Sequence, residues 1–266
     1  SSFDLANKIS EPLTGRNIKF TLYPLSTHEI LSQKKWLWIV ENLEQLLIYG
    51  SYPGILDLPA EERIEKLEEL STDYLFKDIL IHENISNPGV LRKLLKALAL
   101  QIGQLVSVNE LSKLVGVSAP TVEKYLDLLE KTFVILNLMS YSNNLRNELK
   151  KSRKYYFIDN GIRNAVLNNF SNLMNRSDIG ALWENFCVIE RIKHNSNNRF
   201  HRTVYFWRTY DGAEVDLVEI ENENLSAIEF KWNPSKKRNL PKSFADKYKV
   251  RDFKTITPEN LHELFQ

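Results

Sequence analysis

Four residues in the second half of the chain carry types and spacings that suggest chemistry: Glu184, Asp216, Glu229 and Lys231. Successive side chains of a strand point to opposite faces. Read this way, the segment Ala213 to Ile220 turns Glu214 and Asp216 to one face and Val215 and Leu217 to the other. In Leu225 to Trp232, Glu229 and Lys231 share a face opposite Ile228, Phe230 and Trp232. If the two segments pair as a hairpin, the acids and the lysine converge on one side while the apolar side packs on a helix. Asp216 and Glu229 are then expected to hold a hard cation such as Mg2+, which prefers carboxylate oxygens and water. A cation so held lowers the pKa of a bound water and stabilises charge on a phosphate. Lys231 is expected to orient the attacking water or neutralise the transition state. Glu184, two residues after Leu182 on the preceding helix, is expected to reach the same metal. A Glu-x-Lys tripeptide alone is common on solvated strands. The joint pattern of a helix acid, a strand acid and Glu-x-Lys on the next strand carries the reading.

The elements that must position these residues read as α-β-β-β-α-β. A helix over Asp178 to His194 precedes strands over Thr203 to Thr209, Ala213 to Ile220 and Leu225 to Trp232, with turns at Asp211-Gly212 and Glu221 to Asn224. A basic helix near Leu240 to Lys249, a short strand at Lys254 to Ile256 and a last helix capped by Thr257, with Pro258 at its first position, complete the order. Upstream, Val106 to Ile135 reads as short helix, tight turn, second helix, strand. Asn109 is expected to cap the first helix, Gly116 to end it in the left-handed conformation, and Ser118 to cap the next. Strands over Phe133 to Leu138 and Lys154 to Ile158 would close a hairpin, and their connecting loop holds Arg146, Lys150, Lys151, Arg153 and Lys154. A helix-turn-helix followed by a basic hairpin is a winged helix. Its basic residues, Lys150, Lys151, Arg153 and Lys154, are the expected nucleic-acid contacts. Residues 27–86 read as helical, with Trp36, Ile39, Val40, Leu43, Leu46 and Leu47 at helical spacing. Ser1 to Tyr23 reads as one helix and one strand, the tail of a larger unit.

Bulk properties exclude some classes. At 266 residues the chain exceeds one typical domain. No apolar run approaches the ~18 residues of a membrane helix, and the first residues show no signal-peptide pattern. The single cysteine, Cys187, excludes a disulfide framework within the chain and fits a reducing cytoplasm. The net charge of +1 predicts no partner, so any DNA contact must come from local patches. One such patch is the loop above; another runs from Lys236 to Arg251. Cys187 reads as a core thiol, His194 and His201 as exposed loop histidines, and Trp183, Trp207 and Trp232 as core.

Several motifs resemble one family. Glu11-Pro12-Leu13-Thr14-Gly15-Arg16 and Tyr23-Pro24-Leu25-Ser26 resemble the end of an ATPase domain. Gly50-Ser51-Tyr52-Pro53, Tyr74 to Asp78 and Tyr156 to Gly161 resemble linking motifs. Leu182-Trp183-Glu184-Asn185-Phe186, Glu214-Val215-Asp216 and Ile228-Glu229-Phe230-Lys231 resemble a nuclease-like core. Together the chain resembles prokaryotic ATPases of the AAA type whose C-terminal domain of unknown function is similar to PD-(D/E)XK nucleases. The resemblance implies an α+β multidomain fold: 1–26 the tail of the ATPase domain, 27–86 a helical lid or linker, 87–158 the winged helix and 159–266 the nuclease-like domain. It also implies an ATP-sensing role for Arg16 in a complete protein. None of the nine glycines is followed by lysine, so the phosphate-binding loop of such an ATPase is absent. The chain therefore reads as the C-terminal portion, with ATP expected only in the complete protein. Two functions follow: a Mg2+-dependent DNA nuclease, or a non-catalytic module that binds DNA or protein in an ATP-driven assembly. Oligomeric state is left open.

Overall fold

The computed structural model describes residues 20–74, 87–142, 152–236 and 238–266, with side chains described up to residue 72 in the first stretch. Arg16, Lys150, Lys151 and most of the expected ATPase tail lie outside the described residues. The architecture is mixed α and β, with two sheets among the described residues.

Helix α1 (Thr27–Leu31) opens on a capping box: the Ser26 hydroxyl accepts the Glu29 N–H while the Glu29 carboxylate accepts the Ser26 N–H. Helix α2 (Trp36–Tyr49) buries Ile39, Leu43, Leu46 and Leu47. It ends at Gly50, whose φ of +73° suits glycine and whose missing Cβ leaves room for the Asp159 carboxylate. After the single turn α3 (Pro53–Leu56) comes α4 (Ala60–Glu69), which buries Leu67 and turns Glu61, Glu62, Glu65, Glu68 and Glu69 to solvent.

Helix α5 (Pro88–Leu100), strand β1 (Leu105–Val106), and helices α6 (Val108–Val115) and α7 (Ala119–Lys131) come next. The cap of α6 is Ser107, not Asn109; its hydroxyl accepts the Glu110 N–H, and Asn109 falls inside the first turn. Gly116 ends α6 in the left-handed conformation, and Ser118 caps α7, as the sequence predicts. Strands β2 (Ile135–Met139) and β3 (Arg153–Phe157) pair antiparallel, and β1 joins the far side of β3, giving the order β1-β3-β2.

Strand β3 is buried on both faces, so its alternation serves two cores. Tyr155 and Phe157 pack with α5, α6 and α7. Tyr156 and the following Ile158 pack with α2 and with the next long helix, α9 (Ile179–Asn197). Between them, helix α8 (Asn160–Leu167) is capped by Asp159, whose carboxylate accepts the N–H of Gly161, Ile162 and Ser51. The Asn185 side chain on α9 accepts the Phe157 N–H and donates to the Phe157 carbonyl, clamping β3 to the helix. His194, expected as an exposed loop histidine at the end of the helix, is a buried residue of α9, which runs three residues beyond it; His201 is exposed.

The second sheet is β4 (Thr203–Arg208), β5 (Glu214–Glu221), β6 (Asn224–Phe230) and β7 (Val250–Ile256), in that order. Strands β4, β5 and β6 are antiparallel neighbours and β7 runs parallel to β6. Element order therefore follows the expectation, with adjusted bounds: β7 begins at Val250, four residues before the expected Lys254. The basic helix before β7 is the single turn α10 (Lys242–Ala245), and β6 stops at Phe230, short of Trp232. The two sheets touch where the Tyr141 N–H donates to the Phe206 carbonyl, at 2.6 Å. Cys187 and Trp183 are fully buried and Trp207 nearly so, as expected of core residues.

Gly161 sits where the start of α8 meets the end of α2: a Cβ there would collide with the Tyr49 carbonyl. Gly161→Ala is expected to cost about 2 kcal/mol, within the usual range for overpacking. Urea unfolding would show it as a lower midpoint at unchanged slope; an unchanged midpoint would mean that this helix contact yields freely.

Candidate functional site

A bulge in β5 places the first acid. Tyr205 of β4 pairs with Val218 and Trp207 pairs with Val215, so Asp216 and Leu217 together stand opposite Phe206. Val215 and Val218 consequently pack in the same cluster with Trp207, Phe244 and Tyr248, while Leu217 packs toward α9. Strict alternation, which put Val215 and Leu217 on one face, fails here because the bulge inserts an extra residue.

The ladder between β5 and β6 also opens at this point. Its regular pairing reaches Leu217 with Ile228. Beyond it the strands exchange side chain-to-backbone hydrogen bonds. The Phe230 N–H donates to Asp216 Oδ2 at 2.8 Å, and the Asp216 N–H donates to Glu229 Oε2 at 3.3 Å. Each carboxylate thus replaces a carbonyl that the separated strand can no longer offer. Lys231 Nζ lies 3.4 Å from Asp216 Oδ2 and 3.1 Å from Glu229 Oε1, joining the two acids. Asp216 and Glu229 are buried.

Glu184 approaches from α9. Its Oε1 accepts from the Tyr156 hydroxyl at 2.7 Å and from Lys154 Nζ at 3.1 Å. The backbone of Gly103, with φ of +71°, passes so near that a Cβ there would lie 3.1 Å from Glu184 Oε1. Lys154 also forms an ion pair with Glu214, which Arg208 reaches from outside at 3.0 Å. Arg238, exposed, stands 3.9 Å from Glu229. These groups line one cleft of about 480 Å³ between the α5–β1 turn and the second sheet.

The electrostatics reflect crowding. Burial first, then repulsion from Asp216, pushes both Glu184 and Glu229 up to about 7, against the pull of Lys154 and Lys231 respectively. Burial works to lower the lysines, but Glu184 and Glu214 outweigh it at Lys154, and Asp216 and Glu229 outweigh it at Lys231; both are held above the ordinary lysine value.

All four expected site residues therefore meet in one cleft. The donor set, carboxylate oxygens with negative charge in excess, fits a hard cation in chemistry. Among the described residues, however, no group of three or more histidines, cysteines or acids is arranged to hold one. The acids alternate with ammonium groups instead. Lys154 departs from its expected role as a DNA contact. It is 1% exposed, because β3 is the central strand of its sheet and Lys154 shares the face of Tyr156. Arg153, on the other face, is half-buried. Sequence reasoning missed the parts played by Lys154, Tyr156, Glu214 and Asn185. One signal was there: a lysine opens the otherwise apolar run Tyr155 to Ile158, and a strand buried on both sides must pair any charge it carries.

Residues 40–173, half of the chain, match the family described as Domain of unknown function (DUF8612). The chain belongs to the DUF8612 family. Residues 179–260, which include α9 and the four-stranded sheet, match a second family, Domain of unknown function (DUF4143), a domain found in AAA-ATPase-associated proteins. An uncharacterized protein of Haemophilus influenzae is 29% identical over 274 residues, covering 97% of this chain and 58% of that protein. An uncharacterized protein of Mycobacterium tuberculosis is 27% identical over 252 residues, covering 92% of this chain and 54% of that protein. One from Methanocaldococcus jannaschii is 23% identical, covering 92% and 57%. The chain thus spans somewhat over half the length of these relatives. No solved structure gives a significant match. No helix among the described residues is long and apolar enough to cross a membrane.

The raised carboxyls give a signed pH dependence. A carboxyl whose folded pKa exceeds its unfolded value stabilises the fold when protonated, and that contribution is lost as pH rises through the folded pKa. For Glu184 and Glu229 the window runs from the ordinary value of 4.5 to about 7. Glu229→Gln is expected to flatten the fall in stability across this window, measured as urea midpoints at half-unit pH steps. A slope identical to wild type would contradict the raised value at Glu229.

Proposed function

We propose that the cleft is a metal-dependent phosphodiester-cleaving site of the PD-(D/E)XK type. In this reading α9 and the second sheet form a nuclease-like domain over 159–266. Residues 87–158, with helices α6 and α7 and the β1-β3-β2 sheet, form a winged helix. The observation that carries the reading is the reciprocal exchange at the opened strands, with Asp216, Glu229 and Lys231 mutually in contact beside Glu184. Asp216 and Glu229 would hold Mg2+, which when bound supplies a more acidic water and charge stabilisation for the phosphate. Lys231, bridging both acids, would keep its ammonium at the cleft, where it can orient a water and offset charge developing on the phosphate oxygens. Arg208 and Arg238 at the rim add positive charge where a phosphate backbone would enter. A cytoplasmic DNA substrate and control by an ATPase region, in which residues 1–26 would be the tail, 27–86 a helical lid or linker and Arg16 an ATP sensor, complete the proposal. The likeness of residues 179–260 to a domain of AAA-ATPase-associated proteins supports this last part.

One observation favours a second reading, a non-catalytic DNA- or protein-binding module: Lys154 already satisfies Glu184 and Glu214 from within the chain. The test uses the full-length protein with Mg2+ or Mn2+, ATP, and linear, circular and single-stranded DNA. Cleavage is expected, and Glu229→Ala or Lys231→Ala should reduce it by about 100-fold or more. Absent cleavage, or cleavage unchanged in both variants, would favour the binding module. DNA binding by the basic loop is tested separately. Neutralising Lys150 and Lys151 should reduce the slope of log affinity against log salt by roughly two units; an unchanged slope would remove the loop from the DNA contact.

A further inference from the structure

Lys154 reaches the acid cluster from the other side of the cleft. It belongs to β3, whereas Glu184 lies on α9 and Glu214 on β5, so one ammonium ties three elements. Its side chain is 1% exposed, it contacts Glu184 and Glu214, and it sits 5.4 Å from the centre of the Phe206 ring. Glu184 Oε1 takes both the Lys154 and the Tyr156 donors, and the Gly103 backbone closes over the same oxygen. An ammonium this enclosed cannot serve a DNA phosphate at the surface. What it does occupy is the space among carboxylates that a hard cation would otherwise take. Four carboxylates, Glu184, Glu214, Asp216 and Glu229, face the cleft against the ammonium groups of Lys154 and Lys231 inside it. Both kinds of cation compete for the same oxygens, and only one can hold Glu184.

We propose that Lys154 is an internal cation, delivered by the strand between the two cores, that stands in for a divalent metal at Glu184 and confines metal binding to Asp216 and Glu229 until it withdraws. The inference rests on the reading of this cleft as a metal site. It makes the coupling between the winged-helix unit and the sheet the control on that site. A shift of β3 relative to α9 would pull the ammonium away and free Glu184 as a ligand; the Asn185 clamp on Phe157 and the Tyr156 hydroxyl bond to Glu184 resist such a shift.

Mn2+ titration followed by electron paramagnetic resonance tests this without any cleavage assay. Lys154→Met, similar in length and uncharged, is expected to bind Mn2+ at least about tenfold more tightly than wild type, since removing a nearby like charge strengthens cation binding. Adding Glu184→Gln to that variant should abolish the gain. Lys154→Arg, which keeps the charge, should behave as wild type. If wild type binds Mn2+ and loses it in Asp216→Asn, but Lys154→Met binds no more tightly, the inference is overturned and the metal reading stands. If neither wild type nor Lys154→Met binds Mn2+, both are overturned. Should Lys154→Met fail to fold, the wild-type chain decides: acylation of Lys154, followed by mass spectrometry, should rise at saturating Mn2+, and unchanged protection overturns the inference.

Discussion

Four carboxylates crowd one partly buried cleft, and the surrounding fold is arranged around neutralising them. An uncompensated buried carboxylate costs several kcal/mol, so the charges must be met by partners that other elements supply. Most of the compensation inside the cleft comes from two lysines and the backbone, with the Tyr156 hydroxyl, Arg208 and Arg238 adding to it. Lys231, one strand position beyond Phe230, answers Asp216 and Glu229. Lys154 on β3 answers Glu184 and Glu214. Backbone N–H groups at the opened end of β5 and β6 answer Asp216 and Glu229 as well. The last of these is possible only because the ladder separates after Leu217 and Ile228, which leaves two N–H donors without carbonyl partners. The opening of the β5–β6 ladder and the acids therefore depend on each other: the one frees the donors and the other satisfies them.

Strand β3 transmits this constraint to the rest of the molecule. Its alternate residues are divided between the core formed with α5, α6 and α7 and the core formed with α2, α9 and the second sheet. Register is thereby fixed, since a slip of one residue would send Tyr155 and Tyr156 to the wrong cores. The Asn185 amide holds the backbone of Phe157, three residues from Lys154 and one position beyond Glu184 on α9. A clamp so close to the ion pair sets the distance between the ammonium and its carboxylates. The site is accordingly a property of the two units together.

Much of this was legible in the sequence, for local reasons. Gly116 and Ser118 mark the end of one helix and the start of the next because a left-handed backbone and a side-chain cap are demands of single residues. Glu229 on β6, with Lys231 just beyond the strand, was legible because strand alternation is a backbone rule. What escaped was non-local. The bulge at Asp216 arises from the pairing of Tyr205 and Trp207 with Val218 and Val215, which no window of residues around Asp216 shows. Lys154 was grouped with its basic neighbours in sequence, whereas its environment comes from residues thirty and sixty positions away, Glu184 and Glu214. His194 was placed in a loop because polar residues surround it, yet Phe200 and Phe265 pack against its ring and it remains within the helix.

Strand β5 itself offers a comparison between two kinds of acid. Glu219, three residues beyond Asp216, is also buried, but both of its oxygens meet the Arg191 guanidinium, at 3.1 and 2.6 Å, and Asn195 donates to it as well. Burial works to raise its pKa, but Arg191 and Asn195 prevail and hold it below the ordinary value. That is a carboxylate matched to a fixed partner, with no unmet demand for charge. Glu229 shares one ammonium with Asp216, and burial and repulsion raise it to about 7. The difference lies in the ratio of buried carboxylates to cations: Glu219 has Arg191 and, at 3.7 Å, Arg202, whereas Asp216 and Glu229 share Lys231, with only the exposed Arg238 at 3.9 Å from Glu229. Under-compensated acids beside an open cleft bind an added cation more favourably than a saturated pair does, because a newcomer meets negative charge in excess. The same strand thus carries a structural acid at one end and a site acid at the other, and the bulge between them is where the pairing rules change.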